Sequence, residues 1–195
     1  MIIEVGTCDF DTNAGLLDGI YIEPVKYYFD RLPDCKKENV AISNFEGECK
    51  VFYLEEEDII QINLSRKETN KIPEWLKGCS SIIEPHPTLL KYVDITQIRV
   101  GLAKVVKLKS IIEKYNITEI DYLKIDTEGH DCVILNNFLD ECDILPHQIK
   151  FENNRLTNQE ELNKIVKRLE SLDYQIEFLV KDVVAKKNKI KNETI

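Results

Sequence analysis

Long apolar runs are missing from this 195-residue sequence. None approaches the roughly 20 residues that a membrane-spanning helix needs, so no span is predicted. Glycine and proline are scarce, at seven and six residues, which argues against a fibrous or low-complexity chain. Positive charge is in deficit: 26 Lys and Arg stand against 35 Asp and Glu, for a net charge of −9. An acidic chain is poorly suited to bulk nucleic acid or an anionic membrane surface, although a local basic pocket is compatible with it. The six cysteines, at 8, 35, 49, 79, 132 and 142, include no C-x-x-C pair, and histidines number only three. A zinc ribbon or finger is not expected from such a set. No leader-like segment precedes the first apolar run, so the thiols are read as reduced and the protein as cytoplasmic.

With 43% hydrophobic and 31% charged residues the balance is globular, and the length fits one domain. Residues 1–5 read as a core strand, and 6–19 as a turn with a short helical stretch. A second strand at 20–22 ends at Glu23. Pro24 opens a helix over 25–32, and Pro33 ends it. Residues 39–43 and 49–54 read as strands of a hairpin around the Gly47 turn. Residues 55–107 are the least regular part. An acidic run at 55–58 reads as a solvated face, 60–64 alternates like a strand, and Pro73, Gly78, Pro85 and Pro87 break any long element. This stretch is read as a loop-rich substrate insertion.

Beyond it, 105–107 is strand-like and 108–115 helical. A buried strand at 120–125 precedes a helix over 131–139, and 147–151 is a further strand. Residues 158–172 form an amphipathic helix, and 174–180 with 183–187 form a C-terminal antiparallel hairpin. Residues 188–195 read as a fraying polar tail, which leaves 1–187 as a single domain. Strands alternating with helices predict an α/β fold: a mostly parallel sheet with helices on both faces. Ligands bind such sheets at the carboxyl ends of the strands.

Several polar residues fall at those ends. Gly6, in Glu4-Val5-Gly6, permits a close backbone approach to a nucleotide-like ligand. Glu23 lies 19 residues after Glu4, where a carboxylate can accept from both hydroxyls of a ribose. Asp126 and Glu128 straddle the end of the 120–125 strand. They can polarise a substrate hydroxyl, bind a metal or cap the next helix. Gly129 gives room beside them, and His130 is a candidate general base. In the insertion, Trp75 can stack on a sugar face and His86 can meet a hydroxyl, with Ser80, Ser81 and Tyr92 as further acceptor contacts.

The segment Lys124-Ile125-Asp126-Thr127-Glu128-Gly129 resembles the hallmark "lysine, apolar, aspartate, apolar, glutamate, glycine" run of FkbM-type methyltransferases, with Thr127 where that run is usually apolar. Glu4-Val5-Gly6, Ile22-Glu23-Pro24, Ala41-Ile42-Ser43-Asn44, Cys79-Ser80-Ser81 and Phe151-Glu152 are similar to further family segments in order and spacing, over roughly residues 1–180. The resemblance implies a Rossmann-like class I fold with a seven-stranded sheet. It also implies an S-adenosylmethionine-dependent enzyme that methylates a hydroxyl of a sugar, glycan or other small molecule. Gly6 and Thr7 would approach the cofactor, Glu23 and Pro24 would lie at its ribose, and Ser43 and Asn44 beside its adenine. Asp126 would face the methyl group and the acceptor, Glu128 would contact the cofactor, and Glu152 would contact the acceptor. Where members usually carry a second glycine, this chain has Phe10, so the loop takes another path, and Asp9, Asp11 or Thr12 would meet the methionine end. A divalent metal is left open.

Two other readings compete. An oxidoreductase binding NAD or a nucleotide-sugar would use the same Glu4, Gly6 and Glu23, but no G-x-G-x-x-G is present, and Tyr115 has Glu119 where a Tyr-x-x-x-Lys pair needs lysine. A methyltransferase-like module that has lost its cofactor rests on Phe10 alone. With the first cofactor strand at the start of the sequence, no N-terminal lid domain is expected. The acceptor site then falls to the 55–107 insertion or to a partner subunit, which leaves a homodimer open. The acidity favours a neutral hydroxyl compound over a polyanion.

Overall fold

The structure, a computed structural model, describes residues 1–8 and 12–188. It is a mixed α/β fold around a large, mostly parallel sheet. Strands β1 (Ile2–Val5), β2 (Gly19–Ile22), β3 (Lys37–Glu38), β7 (Tyr122–Ile125) and β8 (Gln148–Glu152) run parallel, and β9 (Tyr174–Phe178) and β10 (Asp182–Lys187) complete the sheet as an antiparallel pair. The order across the seven strands is β3-β2-β1-β7-β8-β10-β9. The chain direction of the crossovers reverses between β1 and β7, so the switch point lies at the ends of those two strands.

Alternation along the strands sorts the two faces of this sheet. Ile3, Ile20, Leu123, Ile149 and Val183 or Ala185 belong to one buried core with residues of α4 (Leu108–Lys114), α5 (Asp131–Glu141) and α6 (Gln159–Ser171). The other face carries Glu4, Tyr21, Lys124 and Lys150 at successive paired positions. There Tyr21 packs with Ala14 and with Leu32, the C-cap of α1 (Lys26–Arg31). Helix α6 shows why these elements form where they do. Asn158 caps it by accepting from the Glu160 and Glu161 amides at 2.9 and 3.2 Å, and Leu162, Ile165 and Leu169 fall on its buried stripe.

The middle of the chain departs from the sequence reading. Residues 39–43 and 49–54 do not pair as a hairpin. Strands β4 (Ala41–Ile42) and β5 (Gly47–Tyr53) flank a third strand, β6 (Arg99–Val106), parallel to one and antiparallel to the other. The turn signal at Gly47 was local, whereas the partner strand comes from about 50 residues downstream. Residues 60–64, expected as a strand, lie in helix α2 (Glu56–Leu64). The acidic run is the reason: Glu55 and Asp58 form a reciprocal capping box, and Arg99 bridges both at 3.0 and 2.6 Å.

The 55–107 stretch is not loop-rich in substance either. It has its own core of Ile59, Ile62, Leu76, Leu89 and Ile98, which packs on Leu54, and Ser81 pins it to β5 through paired backbone hydrogen bonds with Phe52. Residues 12–18 form turns and bends in place of the expected helical stretch, held by Glu4, which accepts from the Thr12 hydroxyl and from the Asn13 amide. The expected tail falls outside the described residues beyond Asn188. No disulfide joins any of the six cysteines, all of which are described. No helix among the described residues is long and apolar enough to cross a membrane.

Candidate active site

A cleft of about 820 Å³ opens at the carboxyl ends of β1, β2, β7 and β8, where the sheet's topology places a ligand. One wall is the sheet edge with Gly6, Thr7, Glu23, Pro24, Asp126 and Glu128. The insertion supplies Trp75, Ser80, Ser81 and His86, and the loop after β8 supplies Asn154 and Arg155 behind Glu152. The structure thus brings eleven of the expected site residues onto one cleft. Glu4, Ser43, Asn44, His130 and Tyr92 do not line it. Asp9, with Phe10 and Asp11, lies outside the described residues.

The corrections have physical causes. Glu4 is 1% exposed and spends its carboxylate on the 12–13 turn. Ser43 is equally buried, and its hydroxyl pairs with His130 Nε2 at 2.9 Å. Burial also holds the His130 imidazole below its ordinary range, and the ring, away from the cleft lining, braces the β4 end against α5. Tyr92 meets Trp75 edge-on at 6.1 Å, and it supports the indole from behind while Trp75 itself is half exposed at the mouth.

Gly6 is required by the neighbouring strand. Its φ is +80°, and a Cβ there would sit 1.9 Å from the carbonyl oxygen of Asp126. The close approach read from the sequence is real, but it is to backbone. Glu23 is buried at the end of β2 and accepts from the amides of Cys8 and Val25 at 2.7 and 2.8 Å, fixing the loop after β1 against the start of α1. Thr7 stands between them, 2% exposed, with a hydroxyl that has no hydrogen-bond partner.

Around the β7 and β8 ends the cleft is rich in carboxyls. Asp131, the first residue of α5, accepts from the Thr127 amide at 2.9 Å, the Thr127 hydroxyl and the Glu152 amide at 2.7 Å. It ties the two strand ends together, and burial raises it to about 7 despite those donors. Glu152 is pushed up to about 9, first by burial and then by the negative charges of Glu128, Asp126 and Asp131. Its Oε2 is buried with no hydrogen-bond partner. Glu128 adopts φ +54°, a conformation uncommon for a side-chain-bearing residue, which marks a constrained turn at the heart of the cleft.

Cys79, His86 and Glu128 lie close enough to suggest a metal site. The hydrogen bonds argue otherwise. His86 Nδ1 accepts from the Thr88 amide at 3.0 Å, which places the ring proton on Nε2, facing Glu128 Oε2 at 2.9 Å. A metal on Nε2 would move that proton to Nδ1, against an amide that also donates. Cys79 is a neutral thiol here, raised to about 12 by burial. The triple fits a positioned carboxylate better than a cation.

Sequence reasoning missed Lys124, Lys150, Asn154 and Arg155 as part of the cleft, and Asp131 as the buried tie behind it. Period-two alternation was the available signal for the lysines, because Lys150 sits between the buried Ile149 and Phe151 and so must face the other side. Lys150 pairs with Asp182 at 3.2 Å and Lys124 approaches Asp126 at 3.9 Å, so these cations are partly neutralised within the wall.

Comparison with known proteins gives one finding. The model of the methyltransferase FkbM domain matches residues 5–176. No curated protein and no solved structure matches the chain.

Proposed function

The chain belongs to the FkbM methyltransferase family, and from that premise we propose that it is an S-adenosylmethionine-dependent O-methyltransferase of the Rossmann-like class I fold. Its acceptor is a hydroxyl of a sugar, glycan or other small molecule. The single observation that carries this reading is the cleft at the carboxyl ends of β1, β2 and β7, with a buried carboxylate at the β2 end and the orphaned Thr7 hydroxyl beside it. A buried polar atom without a partner costs about 1–3 kcal/mol unless a ligand satisfies it. The cleft's size suits a nucleoside with an amino-acid tail, and Val40, Ala41 and Ile42 offer an apolar shelf for a base.

When bound, S-adenosylmethionine supplies a methyl group already activated by its positive sulfur. The protein's task is then to place an oxygen in line with it. Glu23 would hold the ribose while it fixes the Cys8 loop, and Thr7 would donate to or accept from the cofactor. Asp126 and Glu128 would face the acceptor side, with His86 locking the Glu128 carboxylate in place. Trp75 at the mouth would stack on the acceptor's apolar face. The structural and electrostatic features favour a neutral or partly polar acceptor over a polyanion, since the carboxyls of the cleft floor repel one. Transfer of a labelled methyl group across a panel of sugars, glycans and small phenols tests the reading. Labelling of at least one hydroxyl compound is expected, and labelling confined to nucleic acid or to amines would contradict it.

A further inference from the structure

The methyltransfer reading leaves one chemical question open: what takes the proton from the acceptor hydroxyl. Three residues expected for that role are engaged elsewhere. His130 is outside the cleft and paired with Ser43, and His86 donates to Glu128. Asp126 approaches Lys124 at 3.9 Å. Glu152 differs from all three. It ends β8, lines the cleft, and presents an oxygen that is buried and unpartnered.

The groups around Glu152 come from every neighbouring element. Asp126 follows β7, Glu128 lies on the next turn, and Asp131 opens α5. Asp182 of β10 stands directly opposite Glu152 in the antiparallel register, and Lys150 answers Asp182 at 3.2 Å. Arg155 and Lys181 line the cleft, and the Arg155 side chain is turned to the Thr88 hydroxyl. The Asn154 amide offers Glu152 some relief. Lys124 and Lys150 are paired with Asp126 and Asp182, so the charges that act most on Glu152 are the negative ones of Glu128, Asp126 and Asp131, and they favour its neutral carboxyl while no cationic ligand is bound. A cation within a few ångströms would reverse that preference.

We propose that Glu152 takes the proton of the acceptor hydroxyl, and that a positively charged cofactor in the cleft, but not its neutral product, drives this carboxyl into the ionised form. The inference rests on the methyltransfer reading and deepens it. The bookkeeping closes. As the carbon–sulfur bond breaks and the carbon–oxygen bond forms, the sulfonium becomes a neutral thioether and the hydroxyl loses its proton to the Glu152 carboxylate. Once the positive charge is gone, the surrounding carboxylates hold that proton on Glu152 until the product leaves. The same group is thus a base before transfer and a neutral acid after it.

The test is binding. Affinities of the protein for S-adenosylmethionine and S-adenosylhomocysteine are measured by calorimetry from about pH 6.5 to 9, in two buffers of different ionisation heat. The sulfonium also lowers the pKa of the ligand's own amino group, and the Glu152→Gln variant, which meets the same ligands, separates that titration from the carboxyl's. The sulfonium's affinity is expected to rise relative to the thioether's by up to about tenfold per pH unit, with matching excess proton release. Glu152→Gln, which keeps the shape of the side chain, is expected to abolish the carboxyl's part of that excess and to leave thioether binding in place. Equal pH dependence for the two ligands in the wild type, or an undiminished excess in Glu152→Gln, would overturn the assignment while leaving the cofactor intact. Failure of both ligands to bind would overturn the cofactor reading itself, and this inference with it.

Discussion

At the scale of single residues, position and purpose separate. Gly6 and Glu23 were legible as strand-end residues because a glycine and a carboxylate 19 positions after Glu4 fit a nucleotide-binding edge. Their reasons were not legible, because they lie in backbone atoms from other segments: the Asp126 carbonyl for Gly6, the Cys8 and Val25 amides for Glu23. Gly6→Ala is expected to destabilise the fold by about 3 kcal/mol, from the left-handed backbone and the overlap together, read as a lower urea midpoint. The raised carboxyls make a second prediction. Asp131 and Glu152 stand at about 7 and about 9 when folded, against ordinary values of 3.8 and 4.5. The folded state then holds protons the unfolded chain has released, so their contribution is full at acid pH and fades as pH rises through those values. The melting temperature should fall from about pH 5 to 9, and Glu152→Gln should flatten the upper part of that decline. A wild-type curve that rises over this range would show the two groups to be ionised in the fold.

Among the elements, local signals served the ends of the chain and failed its middle. Helix α6 and the β9–β10 pair follow from neighbouring residues, a cap, an apolar stripe and a short turn. The β4–β6–β5 sheet does not, because its central strand joins residues near 45 and 100 that no local pattern connects. The insertion's core was hidden for the same reason: Pro73, Gly78, Pro85 and Pro87 read as breakers, while Leu76 and Leu89 between and beyond them are fully buried. Leu76→Ala should cost about 2–5 kcal/mol and loosen the cleft wall that carries Trp75 and His86, visible as faster amide exchange over 68–98. The Ser43–His130 pair belongs to this scale as well. Ser43→Ala should cost about 1–2 kcal/mol of stability and leave cofactor affinity unchanged, because the pair braces β4 against α5 away from the cleft. A large loss of affinity in that variant would return Ser43 to the binding site.

For the molecule as a whole, the family match over residues 5–176 covers the insertion, the β4–β6–β5 sheet and most of the large sheet, so the added core is part of the fold that builds the site. Several of the carboxyls behind the net charge of −9 gather at the β7 and β8 ends, interleaved with Lys124, Lys150 and Arg155. The sheet, the loop after β1 and the insertion share one cleft, which the proposed function assigns to a sulfonium nucleoside. The most direct measurement is the melting temperature of the full chain with S-adenosylmethionine, S-adenosylhomocysteine or NAD. At roughly a hundredfold excess over the dissociation constant, either sulfur compound should raise it by about 5–10 °C, and NAD should leave it unchanged. No shift with either sulfur compound at about a millimolar, or a shift with NAD alone, would contradict the assignment of this cleft.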